Sequence, residues 1–140
     1  MKTRVLFLCT GNSCRSQMAQ GFLRAYASER FEAHSAGTNP SGINPLAVQV
    51  MNEVGIDISG QRSKHVAEYQ GQDVSLVVTV CNNAKEQCPI FPGRCLREHW
   101  PFEDPAEAAG SLEHRLNVFR RVRDEIDVRV RAFVAQSPKM

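Results

Sequence analysis

The chain has 140 residues, of which 42% are apolar and five are cysteine, and its 17 Lys and Arg against 15 Asp and Glu leave a formal net charge of +2. That length and apolar share suit one domain over 1–140, and so small a cationic excess argues against nucleic acid or a membrane surface as partner. An odd cysteine count in a domain large enough to need no staples points to a reducing, cytoplasmic setting where thiols serve catalysis or redox chemistry. Lys2 and Arg4 precede an apolar run, Val5 to Leu8, far shorter than a signal-peptide core, and nothing approaches a membrane span.

Val5 to Leu8 reads as a first strand that feeds straight into Cys9-Thr10-Gly11-Asn12-Ser13-Cys14-Arg15-Ser16. Met18, Phe22, Leu23 and Tyr26 then recur at helical spacing and predict a helix over Cys14–Ser28. A cysteine six residues before an arginine, between a strand and a helix N-terminus, makes a loop shaped for a tetrahedral oxyanion. The backbone N–H groups of Thr10, Gly11, Asn12, Ser13 and Cys14 point inward, Gly11 permits the turn, and Arg15 supplies a forked cation. Cys9 sits beneath the anion as nucleophile, its thiolate favoured by the same donors, and Ser16 can hydrogen-bond the sulfur. A Cys and an Arg at this spacing also arise by chance; the strand before and the helix after give the pair its weight.

Phe31–Gly37 reads as a second strand and Thr38 to Gly42 as a loop. Asn44 caps a helix whose first residue is Pro45, with Leu46, Ala47, Val50, Met51 and Val54 on one face and Gly55 where a left-handed terminal residue is wanted. Periodicity fades from Ile56 to Glu68, with a short helix expected from about Ser63. Val74 to Val80, β-branched and apolar on both faces, predicts a central parallel strand, and Cys95 to His99 a weaker one. After a polar loop carrying Asp104-Pro105, a final helix starts at Ser111. Its core stripe is Leu112, Leu116, Phe119, Val122, Ile126, Val130 and Phe133; its arginines, with pairs such as Glu125 with Arg129 and Asp127 with Arg131, read as a solvated face.

Strands alternating with helices predict a single-domain, three-layer α/β fold: a parallel sheet of about four strands flanked by helices and joined by right-handed crossovers. Ligands in such sheets bind beyond the carboxyl ends of the strands, where Cys9 and Cys81 both emerge.

Cys81 opens a polar stretch ending at Cys88-Pro89 that reads as two turns of exposed helix. Its ends are then about 10 Å apart, whereas a disulfide needs Cα atoms about 4.4 to 6.8 Å apart. The two cysteines pair only if the segment unwinds, which costs a polar surface stretch little. This suggests a relay: Cys81 attacks the sulfur of a Cys9 adduct, and Cys88 then attacks Cys81 and carries the oxidation to the surface. On the plainer reading Cys81 is an inert thiol at a strand end and Cys88 incidental. Cys81, Cys88 and Cys95 are also candidate zinc thiolates, although the spacing is poor for zinc.

Cys14 is expected to pack behind the loop, or to form a side disulfide with Cys9 under peroxide, and Cys95 to pack in or beside its strand. Asp104 is the candidate general acid for a leaving oxygen, against the plain reading that Asp-Pro makes a turn. His34, His65, His99 and His114 have no ligand spacing, and Trp100 reads as packing.

Taken together, these residues resemble the low-molecular-weight tyrosine phosphatase fold family and, within it, the thioredoxin-coupled arsenate reductases. The match covers nearly the whole chain: Cys9 to Met18, Ser35-Ala36-Gly37, Asn44-Pro45, Ile56 to Ser59, Val77-Val78-Thr79, Cys81, Cys88-Pro89, Glu98-His99-Trp100 and Asp104-Pro105. The resemblance implies that arsenate, or another tetrahedral oxyanion, binds in the loop and forms a thiol adduct with Cys9. Cys81 then displaces arsenite as a Cys9–Cys81 disulfide forms, and Cys88 converts it to Cys81–Cys88. Thioredoxin, with its reductase and NADPH behind it, is the implied electron source for a monomer that binds no redox cofactor.

Some members of this group bind potassium behind the loop through carboxylates. Asn12 and Ser35 match that site, whereas Gln20 and Lys64 depart from it, so no metal is expected and the Lys64 ammonium, or nothing, takes the place. The nearest rival is a phosphatase acting on phosphotyrosine or phosphoarginine, for which Ala106-Glu107-Ala108-Ala109 makes a poor wall, although weak activity toward small aryl phosphates is expected. A non-catalytic zinc-thiolate module or a thiol redox sensor is the rival from another class.

Overall fold

Strand β1 (Thr3–Cys9) lies inside a parallel sheet, between β2 (Phe31–Gly37) and β3 (Leu76–Thr79), with β4 (Leu96–His99) at the edge beyond β3. Helices α1 (Arg15–Ala27), α2 (Pro45–Asn52) and α3 (Leu112–Gln136) complete the α/β fold. The structure, a computed structural model, describes residues 2–82, 91 and 95–136. No helix of it is long and apolar enough to cross a membrane.

The pleat of β1 sorts its side chains between two cores. Val5, Phe7 and Cys9 join the larger core with α1, α2 and α3, whereas Leu6 and Leu8 join a smaller one with Ala36, Val66, Tyr69, Val77 and Phe91. A strand buried on both faces requires an unbroken apolar run, and Val5 to Leu8 supplies it. Among the described residues, the second face is covered by a short 3-10 helix, Val66–Tyr69, and by Phe91.

Register fixes what emerges at the carboxyl end of the sheet. Leu8 is level with Thr79 on one side and Ala36 on the other, and Cys9 is level with Gly37. The β1–β3 pairing continues through a hydrogen bond from Val80 N–H to the Leu8 carbonyl. Cys9 therefore stands beside Val80, and Cys81 follows one residue later on the neighbouring strand, about 4.8 Å away laterally.

Several elements match their sequence signals closely. Strand β2 has the predicted bounds and α1 is shorter by one residue at each end. Asn44 caps α2 by accepting from the Leu46 N–H, with Pro45 in the first turn. Gly55 takes a φ of +81°, and the Gly55 N–H to Asn52 and Ile56 N–H to Met51 bonds close the turn that ends the helix. Leu116, Phe119, Val122, Ile126 and Val130 of α3 are buried, and Trp100 packs against Phe7 and Phe133.

Other expectations are corrected. The helix expected from Ser63 starts only at Val66, because Ser63 Oγ is bound to the Gly11 carbonyl and the Lys64 N–H to Asn12 Oδ1. Val54 and Leu112, assigned to apolar stripes, are exposed: each lies at or past a helix end, beyond the core its helix covers. Arg123 is not on a solvated face; it is buried and donates to the Val50 carbonyl and to Glu53, tying α3 to α2. Asp127 pairs with Arg131 as expected, whereas Glu125 pairs with Arg121, leaving Arg129 to reach Glu98 and lie over the Trp100 ring. The predicted strand at Val74 to Val80 narrows to Leu76–Thr79, and the weaker strand is an exposed edge.

Gly37 ends β2 against the loop that follows β1. A Cβ there would meet the Thr10 carbonyl, and would lie 2.8 Å from the Cys9 carbonyl and 3.0 Å from the Asn12 nitrogen, all of them backbone atoms. Gly37→Ala should therefore lower stability by about 1–3 kcal/mol in urea denaturation. Gly60→Ala, where a Cβ enters open space, is the control and should be near neutral; equal effects would contradict the close approach.

Candidate active site

The chain between β1 and α1 forms the floor of a cavity of about 300 Å3. Cys9, Thr10, Gly11, Ser13, Cys14 and Arg15 line it from the loop, joined by Asn39, Ser41, Asp104 and Ala106 from elsewhere in the chain. Cys9 is buried at its base, where its sulfur accepts from the Asn12 N–H at 3.2 Å and lies 2.9 Å from Ser16 Oγ. Asn12 Nδ2 donates to that same Ser16 oxygen, at 2.8 Å. With its oxygen accepting, the hydroxyl is free to donate to sulfur, so two donors converge on Sγ.

The loop's second cysteine is chemically different. Burial pushes the Cys14 thiol up to about 12 from an ordinary 9.0, with Ser13 opposing and Asp104 and Cys9 adding to the rise. Cys14 is therefore a neutral thiol packed into the larger core, which leaves Cys9 as the candidate nucleophile of the pair.

Arg15, the first residue of α1, is buried and donates through Nη1 to the Phe102 carbonyl at 3.2 Å. Its Nη2 lies 3.8 Å from Asp104 Oδ2. The other Asp104 oxygen accepts from the Ala106 N–H and caps the 3-10 turn Pro105–Glu107. Turn-making and functional placement thus coexist in Asp104: one oxygen holds the turn, and the other faces the cavity cation.

The turn residue of the loop is Asn12, not Gly11. Asn12 is the described non-glycine residue with a positive φ, 47°, and Gly11 is outside that region. Gly11 serves through its missing Cβ, which would come within 3.1 Å of Ser41 Oγ. Asn12 lies behind the loop rather than in the cavity lining: its Oδ1 accepts from Gln17 Nε2 at 2.9 Å and from the Lys64 N–H at 2.8 Å. Gln17 also donates to the Arg62 carbonyl and accepts from Gln61. This amide network is not legible in the sequence, because Asn12 and Gln17 meet partners 44 to 52 residues away that carry no motif.

The four positions compared with a potassium site lie in or near this network, and they do not fit a cation. Ser35 Oγ donates to Gln20 Oε1, Asn12 Oδ1 is doubly occupied, and no carboxylate is present at 20 or 64. Lys64 Nζ instead donates to the Arg62 carbonyl at 2.6 Å. The buried Gln61 Oε1 lacks a hydrogen-bond partner among the described residues, and one free oxygen does not make a cation cage. No group of three His, Cys, Asp or Glu able to hold a metal occurs among the described residues.

Cys81 is fully buried and disulfide-bonded, while Cys9, Cys14 and Cys95 are free thiols, so its partner is none of the other described cysteines. Cys88 and the exposed helix expected before it lie outside the described residues, as does the Cys88 member of the zinc reading. Cys95 packs against the smaller core. Asn39 and Ser41 carry only turn chemistry in the sequence, and nothing there marks them as cavity residues.

Comparison with known proteins places these features in a family. The sequence family described as low molecular weight phosphotyrosine protein phosphatase matches residues 4–139. An arsenate reductase of Shouchella clausii is 52% identical over 132 residues, 94% of this chain and 95% of that protein. A solved arsenate reductase in a phosphate-binding state superposes with a TM-score of 0.78 at 35% identity, covering 97% of this chain and 98% of the other. A thioredoxin-dependent arsenate reductase of Corynebacterium glutamicum gives a TM-score of 0.70 at 28% identity over 96% of this chain and 61% of that one.

Two measurements check this geometry. Ser16→Ala removes a donor to the Cys9 sulfur and should slow its alkylation by iodoacetamide at pH 7 by about 5- to 20-fold, as loss of a charge-assisted hydrogen bond implies; an unchanged rate would contradict the contact. Burial first, and the Arg62 charge second, hold Lys64 at about 8 instead of 10.5. Between those values the unfolded chain binds a proton that the folded chain has lost, so Lys64 adds stability as pH rises through the window. The stability difference between the wild type and Lys64→Met should move toward the wild type from pH 8 to 10.5, and a flat difference would contradict the burial.

Proposed function

This chain belongs to the low molecular weight phosphotyrosine protein phosphatase family, and on that premise we propose that it reduces arsenate to arsenite with electrons drawn from thioredoxin. The observation that carries the reading is the pairing of two unlike cysteines at one end of the sheet. Cys9 is free at the loop cavity, and Cys81, just past the end of the adjacent strand, is in a disulfide. A phosphatase has no use for the second. The name carried by relatives about half identical over nearly the full chain supports the same conclusion.

The reaction follows from the residues. Arsenate enters with its oxygens toward the loop N–H groups and the Arg15 fork, and the Cys9 thiolate attacks arsenic. One oxygen leaves as water, protonated by the Asp104 carboxyl, whose Oδ2 already faces the Arg15 guanidinium. The Cys81 thiolate then attacks the Cys9 sulfur. The sulfur–arsenic bond breaks, its electron pair stays on arsenic, As(V) becomes As(III), and arsenite departs as the Cys9–Cys81 disulfide forms.

The Cys88 thiolate next attacks the Cys81 sulfur, Cys9 leaves as thiolate, and a Cys81–Cys88 disulfide remains for the thioredoxin dithiol to reduce. Two thiols thus supply the electron pair, and the protein needs no redox group of its own. A free Cys9 with Cys81 in a disulfide is the cysteine pattern expected at that last stage. Thioredoxin as donor fits a reducing compartment, and the thioredoxin-dependent relative of the same fold supports it.

Arsenate-dependent NADPH oxidation with thioredoxin and its reductase tests the proposal. The wild type should turn over, and Cys9→Ser, Cys81→Ser and Cys88→Ser should each fail. Normal cycling of Cys88→Ser would overturn the relay, and a wild type active only on aryl phosphates would return the chain to the phosphatases.

A further inference from the structure

The outer rim of the cavity is built by a segment to which the chemistry so far gives no task. The Asn39 N–H donates to the Thr10 carbonyl at 2.9 Å, Ser41 N–H to Gly11 at 3.0 Å and Asn44 N–H to Ser13 at 3.0 Å. This lacing ties the 39–44 segment to the oxyanion loop, and Asn39 and Ser41 line the cavity together with Asp104 and Ala106. Ser41 Oγ is close to Gly11, 3.1 Å from where a Cβ would stand. Neither the Asn39 amide nor the Ser41 hydroxyl makes a side-chain hydrogen bond to another described residue, so both are available to a ligand.

An oxyanion seated over Cys9 directs three oxygens into the N–H cradle and holds the fourth outward, in line with the sulfur. In an inorganic oxyanion that outward atom is a hydroxyl; in an ester it is a bridging oxygen that carries carbon. We propose that Asn39 and Ser41 recognise this outward hydroxyl and so select inorganic oxyanions over their organic esters. The inference rests on the same oxyanion site as the proposed reaction, but not on its redox steps.

The chemistry suits the rim. A hydroxyl donates one hydrogen bond and accepts others, so it can satisfy the Asn39 carbonyl oxygen and the Ser41 hydroxyl together. An ester oxygen donates nothing, and its carbon substituent displaces whatever the rim would bind. Sites built to hydrogen-bond a hydroxyl reject analogues lacking it far more strongly than apolar cavities reject an extra group.

Calorimetric titration with inorganic phosphate and with methyl phosphate tests this on the wild type, Asn39→Ala, Ser41→Ala and Ser41→Thr. The wild type should bind phosphate more tightly. Each alanine variant should weaken phosphate about 5- to 10-fold, the worth of one hydrogen bond, and leave methyl phosphate within about twofold. Ser41→Thr keeps the hydroxyl and should retain the preference. Equal losses for both ligands, no loss for either, or no preference in the wild type would overturn the proposal. Arsenate turnover measured beside it separates the two readings: turnover without selectivity sinks the rim alone, and selectivity without turnover sinks the reductase alone.

Discussion

A single backbone residue, Asn12, sets the shape on which the site depends. The loop turns at Asn12, which holds a positive φ, a conformation that costs a side-chain-bearing residue about 1–3 kcal/mol, and its N–H meets the Cys9 sulfur. The cost is offset because both ends of its amide are used: Oδ1 accepts from Gln17 and the Lys64 backbone, and Nδ2 donates to Ser16. Those partners come from the start of α1 and from the segment after α2. The same amide that stabilises the turn therefore anchors the loop to the helix that follows it and to one distant stretch of chain, and orients the hydroxyl that faces the Cys9 sulfur.

Packing does the rest of the positioning. The larger core clamps α1 against β1 and α3, so the first turn of α1, with Arg15 in it, is fixed relative to Cys9 at the strand end. Donors that do not move when charge develops stabilise it at little reorganisation cost. A formal charge of only +2 is therefore no obstacle to the proposed oxyanion site: its field would be local, from loop N–H groups and one buried guanidinium. Burial also separates the two loop cysteines, holding Cys14 as a thiol while the donors converge on Cys9.

Much of this was legible in the sequence, and the failures have physical causes. β1, α1, β2 and α2 could be read because an apolar run or a helical stripe with caps is a local signal, and topology then placed Cys9 and Cys81 at one end of the sheet. The turn was assigned to Gly11 because glycine tolerates positive φ intrinsically, whereas Asn12 tolerates it only through contacts made elsewhere. The segment at Ser63 reads as helix because nothing local in it announces that the loop takes its hydrogen bonds. Arg123 looked solvated because charge predicts exposure, yet it finds a carbonyl and a carboxylate between two helices. Asn39 and Ser41 escaped because backbone bonds, which no side-chain pattern records, bring them to the site.

The central claim is that Cys81 can reach the sulfur of Cys9 once arsenate has reacted there. Disulfide mapping by mass spectrometry on Cys88→Ser, reduced, freed of reductant and exposed to arsenate, addresses it directly, since that variant should stall after the first disulfide. The account predicts a Cys9–Cys81 cross-linked peptide that forms with arsenate and not with phosphate. Cys9 and Cys81 recovered as free thiols after arsenate, or Cys9 found joined to Cys14 instead, would contradict it.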